Sequence, residues 1–191
     1  MFYIGVDLGG TGIKAGVVDE KGNILSKASC PTGVERGYEA VIRDMAALCV
    51  EACEKSGHTM DEIKSIGIGI PGIFDPASQM VPFCTNLGWH QVPILSEMAK
   101  YTDRPVIVDN DATVAGLAEA VAGVSAGVSN SVFVTLGTGV GGGIIIDGKP
   151  YAGPHGVASE IGHMITVADG EIEARGIIFD TDAKAIKRIR F

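Results

Sequence analysis

Twice along this chain a strand-like run enters a Gly-Thr-Gly turn and leaves it as another strand. The first passage runs from Phe2-Tyr3-Ile4-Gly5-Val6-Asp7-Leu8 through Gly9-Gly10-Thr11-Gly12 into Ile13 to Val18. The second runs from Ser131-Val132-Phe133-Val134-Thr135-Leu136 through Gly137-Thr138-Gly139 and further glycines into Ile144 to Ile146. This order constrains the fold. The glycine-rich phosphate loops of Rossmann and Walker type lead from a strand into a helix, so neither accommodates these turns. The repetition implies two related halves, each opening with the same hairpin.

Around the first hairpin, Asp19-Glu20-Lys21-Gly22-Asn23 reads as a turn and Ile24 to Ser29 as a third strand, completing an antiparallel meander. Between Gly37 and Gly57 the apolar residues Val41, Met45, Leu48, Cys49 and Ala52 recur at helical spacing, with Gly57 as the stop. Ile63 to Ile70 is a strand in which Gly67 and Gly69 alternate with isoleucines, leaving one face open to close packing. From Ile73 to Val92 no period is visible, and the segment reads as a long loop containing Trp89. A short helix, Ile94 to Tyr101, precedes the strand Val106-Ile107-Val108. That strand ends in Asp109-Asn110-Asp111 and passes into an alanine-rich helical run. The small-residue stretch Gly123 to Asn130 is the expected domain boundary, and Asp147-Gly148 is a two-residue hairpin turn.

A polar cluster delivered by a buried strand onto a helix start sits where open α/β sheets bind ligands. Helix capping by Asn110 or Asp111 is an equally simple reading of those residues alone. The glycine turns shift the balance. A tip rich in glycine lets several backbone N–H groups converge on one anion, with the hydroxyl of Thr11 or Thr138 as a further donor. Asp7 and Lys14 flank the first tip and suit a hydrated Mg²⁺ and a phosphate oxygen. The pattern therefore leads us to expect a nucleoside triphosphate held between two lobes, with Asp111 near its terminal phosphate as proton acceptor.

The net charge of −8 argues against nucleic acid or an anionic membrane as partner, since both reward clustered Lys and Arg. No apolar run reaches membrane-spanning length and no signal-peptide pattern is present. Cys30, Cys49, Cys53 and Cys84 lack metal-site spacing, and free thiols in an acidic chain place the expectation in the cytoplasm.

Asp7-Leu8-Gly9-Gly10-Thr11, Gly69-Ile70-Pro71-Gly72, Asn86-Leu87-Gly88-Trp89, Asn110-Asp111-Ala112, Leu136-Gly137-Thr138-Gly139-Val140-Gly141-Gly142-Gly143 and Glu160-Ile161-Gly162-His163 occur in that order. Together they resemble the ROK family (repressors, uncharacterised reading frames and sugar kinases), and most closely its bacterial glucokinase members, from about Tyr3 to Val167. The resemblance implies the actin-like, RNase H-like α/β fold. It also implies a kinase that uses ATP and Mg²⁺ to phosphorylate a hexose, glucose first, at the 6-hydroxyl. Under it, Asp111 is the catalytic base, and Gly72, Asn86, Asn110, Asp111, Glu160 and His163 hold the sugar. Asp7, Gly9, Gly10, Thr11, Thr138 and Gly139 serve the phosphates and their metal, and Lys14 joins them on its position beside the first tip. Without the resemblance, Asn86 reads as a turn residue, Glu160 as a solvated charge and His163 as a structural histidine. The expected partners are a hexose and a nucleotide, with a homodimer as the assembly to test.

Two departures are mild: Thr85 stands where the family usually has proline, and Ser159 where it has glycine. The larger one follows Val167. The family's cysteine-rich structural zinc motif is expected there, yet no cysteine follows Cys84, which leaves His163 a lone ligand where four are needed. The expected organisation is a sugar-kinase domain at 1–124, then the opening part of a C-terminal domain at 125–191. An atypical tail starts near 170, with Asp182 to Phe191 reading as a short basic amphipathic helix. The alternatives are a non-catalytic sugar-binding regulator and an inert kinase fragment. Repressor members usually carry a DNA-binding helical segment ahead of the first glycine turn, and here Met1 opens directly onto the strand.

Overall fold

A computed structural model describes residues 1–137, 139–154 and 156–163, together with the backbone of two strands, Ile177–Asp180 and Ala185–Ile189. The chain divides into two compact units, Met1–Asp111 and Ala112–Phe191.

In the first unit the meander forms as the alternation predicts: β1 (Phe2–Leu8), β2 (Gly12–Asp19) and β3 (Ile24–Pro31) pair antiparallel. Helix α1 (Tyr38–Ser56) follows, and β4 (Ile63–Ile70) then pairs parallel to β1. A hairpin of β5 (Val81–Cys84) and β6 (Trp89–Val92) and the short helix α2 (Ile94–Met98) lead to β7 (Val106–Asn110), parallel to β4. The sheet order is β3-β2-β1-β4-β7. It is a mixed sheet, as expected when a meander is followed by helix-connected strands.

Alternation decides which face is covered. Ile4, Val6 and Leu8 of β1, Ile13, Ala15 and Val17 of β2, and Ile66, Ile68 and Ile70 of β4 are buried together with Val41, Ile42, Met45 and Leu48 of α1. Gly57 ends α1 in the left-handed conformation (φ 77°), its N–H reaching the carbonyls of Cys53 and Glu54. On the opposite face, Gly67 is exposed, and no described atom comes nearer than 4.0 Å to where its Cβ would be. The tight packing expected against that glycine is therefore not present among the described residues.

The expected loop between Ile73 and Val92 is instead partly ordered. Val81 pairs with Val92, Phe83 with His90 and Cys84 with Trp89, and Val81, Cys84, Trp89 and Val92 are buried. Strands of four residues, one containing Pro82, are too short to show a period in sequence.

In the second unit, β8 (Ser131–Leu136), β9 (Val140–Ile146) and β10 (Lys149–Pro150) form an antiparallel sheet. Asp147 (φ 51°) and Gly148 (φ 74°) make the expected tight turn between β9 and β10. β9 starts four residues earlier than its isoleucines indicate, because Gly141, Gly142 and Gly143 belong to the strand. Helix α3 (Asp111–Ala122) explains Gly141 and Gly143, and the Ser159–Ile161 segment explains Gly142: a Cβ on Gly143 would stand 2.9 Å from the Ala112 carbonyl and 3.2 Å from Gly116 Cα, and one on Gly142 would stand 2.5 Å from the Ser159 carbonyl. The tail departs from the expected helix. β11 (Ile177–Asp180) and β12 (Ala185–Ile189) pair antiparallel, with Ile177 opposite Ile189 and Asp180 opposite Ala185. A helix of ten residues or fewer has little to offset its nucleation cost, whereas a β-branched run close in sequence offers a pairing partner.

Candidate functional site

The parallel pairing brings the ends of three strands together. Asp7 on β1 lies opposite Gly69 on β4, which lies opposite Asp109 on β7, while Lys14 on β2 faces Asp7 from the other side. Lys14, Asp7, Gly69 and Asp109 therefore occupy one row across the sheet, and cross-strand partners share a face. With strands about 4.8 Å apart, the backbones of Asp7 and Asp109 are separated by about 10 Å. Lys14 Nζ stands 3.4 Å from Asp7 Oδ2, with side chains 73% and 58% exposed, so the pair adds little stability and its value is in placing charge. Asp109 Oδ1 accepts the Asn110 N–H at 2.7 Å. Local sequence shows Asp109 only as part of the polar strand end; the register that places it in the same row as Asp7 is not visible there.

Next to that row is the first glycine tip, closed by a bond of 3.0 Å from the Gly9 N–H to the Gly12 carbonyl. Gly10 abuts the turn that holds Asn86. A Cβ at Gly10 would meet the Asn86 carbonyl at 3.2 Å and Asn86 Cβ at 3.7 Å. Two residues expected to bind different substrates, a phosphate and a sugar, are thereby neighbours. Gly72 lies against β5 in the same way, its missing Cβ pointing at Cys84 Cβ (2.9 Å) and at the Phe83 carbonyl (3.2 Å).

Asn110 completes the set. Its Nδ2 donates to the Gly72 carbonyl at 3.2 Å, joining the end of β7 to the loop that leaves β4. Asp111 follows at the start of α3, half-buried, and its charge reaches Cys84. Burial pushes the Cys84 thiol up, the backbone N–H groups of Leu87 and Asn86 hold it down in part, and the negative charge of Asp111 adds a further upward push. Gly10, Gly72, Asn86, Asn110 and Asp111 thus form one connected group within the first unit. A carboxylate and an amide at the end of parallel β7, with a second amide from the turn between β5 and β6, provide directional acceptors and donors suited to a polyhydroxylated ligand.

A group that sequence reasoning missed supports the tip from below. Thr32 is fully buried, its Oγ1 donating to the Gly9 carbonyl at 2.6 Å and its N–H to the Thr11 carbonyl at 3.2 Å. Cys30-Pro31-Thr32-Gly33 carries no pattern that would single it out.

In the second unit, Gly137 donates through its N–H to the Gly139 carbonyl at 2.9 Å, so this tip is also a closed turn between antiparallel strands. Gly139 is exposed, and Thr138 lies outside the described residues. Glu160 and His163 are brought together one turn apart, His163 Nε2 standing 3.8 Å from Glu160 Oε2, an ion pair when the imidazole is protonated. The preceding Ser159 is buried, its hydroxyl 3.3 Å from that of Thr113 on α3, which anchors the loop carrying Glu160.

Asp7 fits a hydrated Mg²⁺ as a single exposed carboxylate at a strand end, since that ion keeps most of its waters. Toward the family's zinc the sequence offers no cysteine after Cys84, and Cys49, Cys53 and Cys84 are buried thiols. No helix among the described residues is long and apolar enough to cross a membrane.

Comparison with known proteins identifies relatives of the chain. Residues 3–176 match the ROK family. A glucokinase of Streptomyces coelicolor is 44% identical over 167 residues, covering 87% of this chain and 50% of that protein. The crystal structure of a ROK family glucokinase from Streptomyces griseus, in complex with glucose and AMPPNP, superposes with a TM-score of 0.79 at 39% identity, covering 90% of this chain and 53% of that one. A xylose repressor of Caldicellulosiruptor bescii is 33% identical over 160 residues, 84% of this chain and 40% of the repressor. The chain spans about half the length of the curated glucokinases it matches. Its architecture is the actin-like α/β fold of the ROK sugar kinases.

Proposed function

We propose, from the premise that this chain belongs to the ROK family, that it works in the ATP-dependent phosphorylation of a hexose, with glucose as the first substrate to test. The observation that supports this best is the closeness of Gly10 to Asn86 inside one unit, the two residues to which this reading gives phosphate and sugar respectively. In this reading Asn86, Asn110 and the Gly72 loop orient the sugar. Asp111 accepts the proton of the 6-hydroxyl as its oxygen bonds to the γ-phosphorus and the bond to ADP breaks. Gly9, Gly10, Thr11 and Lys14 receive phosphate oxygens, and Asp7 would hold Mg²⁺, which neutralises charge on the phosphates when bound. In the second unit, the family resemblance gives Glu160 and His163 to a sugar and Thr138 and Gly139 to phosphate.

Phosphoryl transfer asks for positioning and a proton acceptor more than for covalent chemistry. General-base help is worth about 10²–10⁴-fold in rate, so Asp111→Asn lowers turnover by that order while sugar affinity stays within a few-fold. A coupled ADP-release assay across glucose, fructose, mannose and N-acetylated hexoses measures this. Unchanged turnover in Asp111→Asn removes the base assignment. The similarity to a xylose repressor supports a second reading, a sugar-binding regulator without catalysis. Saturable sugar binding with no ADP release favours that one.

A further inference from the structure

Between β3 and α1 the chain forms a strap behind the first glycine tip. Thr32 grips the tip at two points, donating its hydroxyl to the Gly9 carbonyl (2.6 Å) and its N–H to the Thr11 carbonyl (3.2 Å). Arg36 grips the strap in turn: Nη2 donates to the Thr32 carbonyl at 2.8 Å, Nε to the Gly33 carbonyl at 3.3 Å, and Nη1 to Asp44 Oδ2 at 2.6 Å on α1. Gly33 adopts the left-handed conformation (φ 59°), and a Cβ there would stand 2.5 Å from Arg36 Nε, so the guanidinium occupies the space a side chain would need.

We infer that Thr32 is a positioning residue for nucleotide: it fixes the carbonyls of Gly9 and Thr11 behind the turn so that the N–H groups of the tip face outward toward phosphate. The chemistry supports this direction. Peptide units are planar, so anchoring a carbonyl sets the orientation of the N–H in the same unit, which belongs to the next residue. The Gly9 carbonyl shares its unit with the Gly10 N–H, and the Thr11 carbonyl shares its unit with the Gly12 N–H. A hydroxyl that is fully buried and spent on a turn carbonyl is not there for solubility, and valine would fill the same volume without the bond. Arg36 and Asp44 extend the anchor to α1, making the tip part of the rigid core rather than a free hairpin end. The inference rests on the reading of this tip as a phosphate site, but its mechanical half can be measured without any ligand.

The experiment compares wild type, Thr32→Val and Thr32→Ser by amide hydrogen exchange and by calorimetric titration with Mg-AMPPNP and, separately, glucose. Loss of one buried hydrogen bond is expected to raise exchange at Gly9 and Thr32 about fivefold in Thr32→Val, with Thr32→Ser within about twofold of wild type. AMPPNP affinity falls about tenfold in Thr32→Val, recovers in Thr32→Ser, and glucose affinity stays within about twofold in both. Should Thr32→Val fail to fold, Arg36→Gln, at a side chain 39% exposed, reports on the same amides and the same titrations. Unchanged exchange at Gly9 and Thr32 in the variant overturns the brace. Faster exchange with unchanged AMPPNP affinity overturns its role toward nucleotide. If wild type takes up no AMPPNP at all, the phosphate reading of the tip fails, while the exchange arm still decides the brace.

Discussion

Replacing Gly72 by alanine probes the joint on which the candidate sugar site depends. The new Cβ would stand 2.9 Å from Cys84 Cβ, 3.1 Å from Cys84 Sγ and 3.2 Å from the Phe83 carbonyl. Favourable carbon contacts begin at about 3.5 Å, so the overlap is several tenths of an ångström on three atoms. Two of the three are a backbone carbonyl and a Cβ, which cannot rotate away. Either β5 or the Gly72 loop must shift, and overpacking of this kind costs about 1–3 kcal/mol. For a unit of this size that cost corresponds to a fall in unfolding temperature on the order of 5–15 °C, read by calorimetry. The same shift moves the Gly72 carbonyl away from Asn110 Nδ2, now at 3.2 Å, so glucose affinity should drop together with stability. Cys84→Ala in the Gly72→Ala background relieves only the sulfur contact, because the 2.9 Å contact is with Cβ, and should restore only part of the loss. An unfolding temperature and glucose affinity equal to wild type in Gly72→Ala would refute the packing argument, and complete rescue by Cys84→Ala would refute the assignment of the main clash to Cβ.

Other consequences follow from local chemistry. Cys49 is buried and its thiol is pushed up to about 12 by desolvation, so alkylation at pH 8 should label half-exposed Cys30 well before Cys49, as peptide mass mapping would show. Arg36 hydrogen-bonds Asp44 and holds its carboxyl below the ordinary value of 3.8, a stabilisation present above that value and lost as pH falls through the lower folded one. The stability gap between wild type and Arg36→Gln should therefore be constant from neutral pH to about 5 and narrow at lower pH, measured by urea melts. Gly57→Ala places a side chain at φ 77° at the end of α1 and should cost about 1 kcal/mol, read in the same melts.

Much of the fold could be read from the chain because its elements are long enough to show a period. β1, β2, β4 and α1 each bury one regular face, so Ile4-Val6-Leu8 or Val41-Met45-Leu48 announce strand and helix directly. The β5–β6 hairpin was not legible: four-residue strands, one interrupted by Pro82, carry no alternation strong enough to separate them from loop. The tail failed for the opposite reason. Its alternating charges and isoleucines fit helix and strand alike, and only the partner strand at Ile177–Asp180 decides between them.

The site divides along the same line. Asn110, Asp111, Gly72 and Asn86 were recognisable as motif residues, and the first unit gathers them. Thr32 was not, because its significance is in burial, and Asp109 was legible only as part of the polar strand end, because its further significance is in register. Asp109 joins the row of Asp7 only through the pairing of β4 with both β1 and β7, and Thr32 reaches Gly9 across 23 positions of sequence. The glycines of β9 were read as part of a turn, although the small size of Gly141 and Gly143 serves the close seating of α3 and that of Gly142 the approach of Ser159 and Ile161.

The central claim is that a hexose binds where β4 and β7 end, against Asn86, Asn110 and Asp111. Glucose titrated into isotope-labelled protein, followed by NMR at the side-chain amides of Asn86 and Asn110 and the backbone amides of Gly72 and Asp111, tests it most directly. All four are expected to respond together along one saturation curve. Saturable shifts confined to other parts of the chain, with these four unmoved, would contradict it.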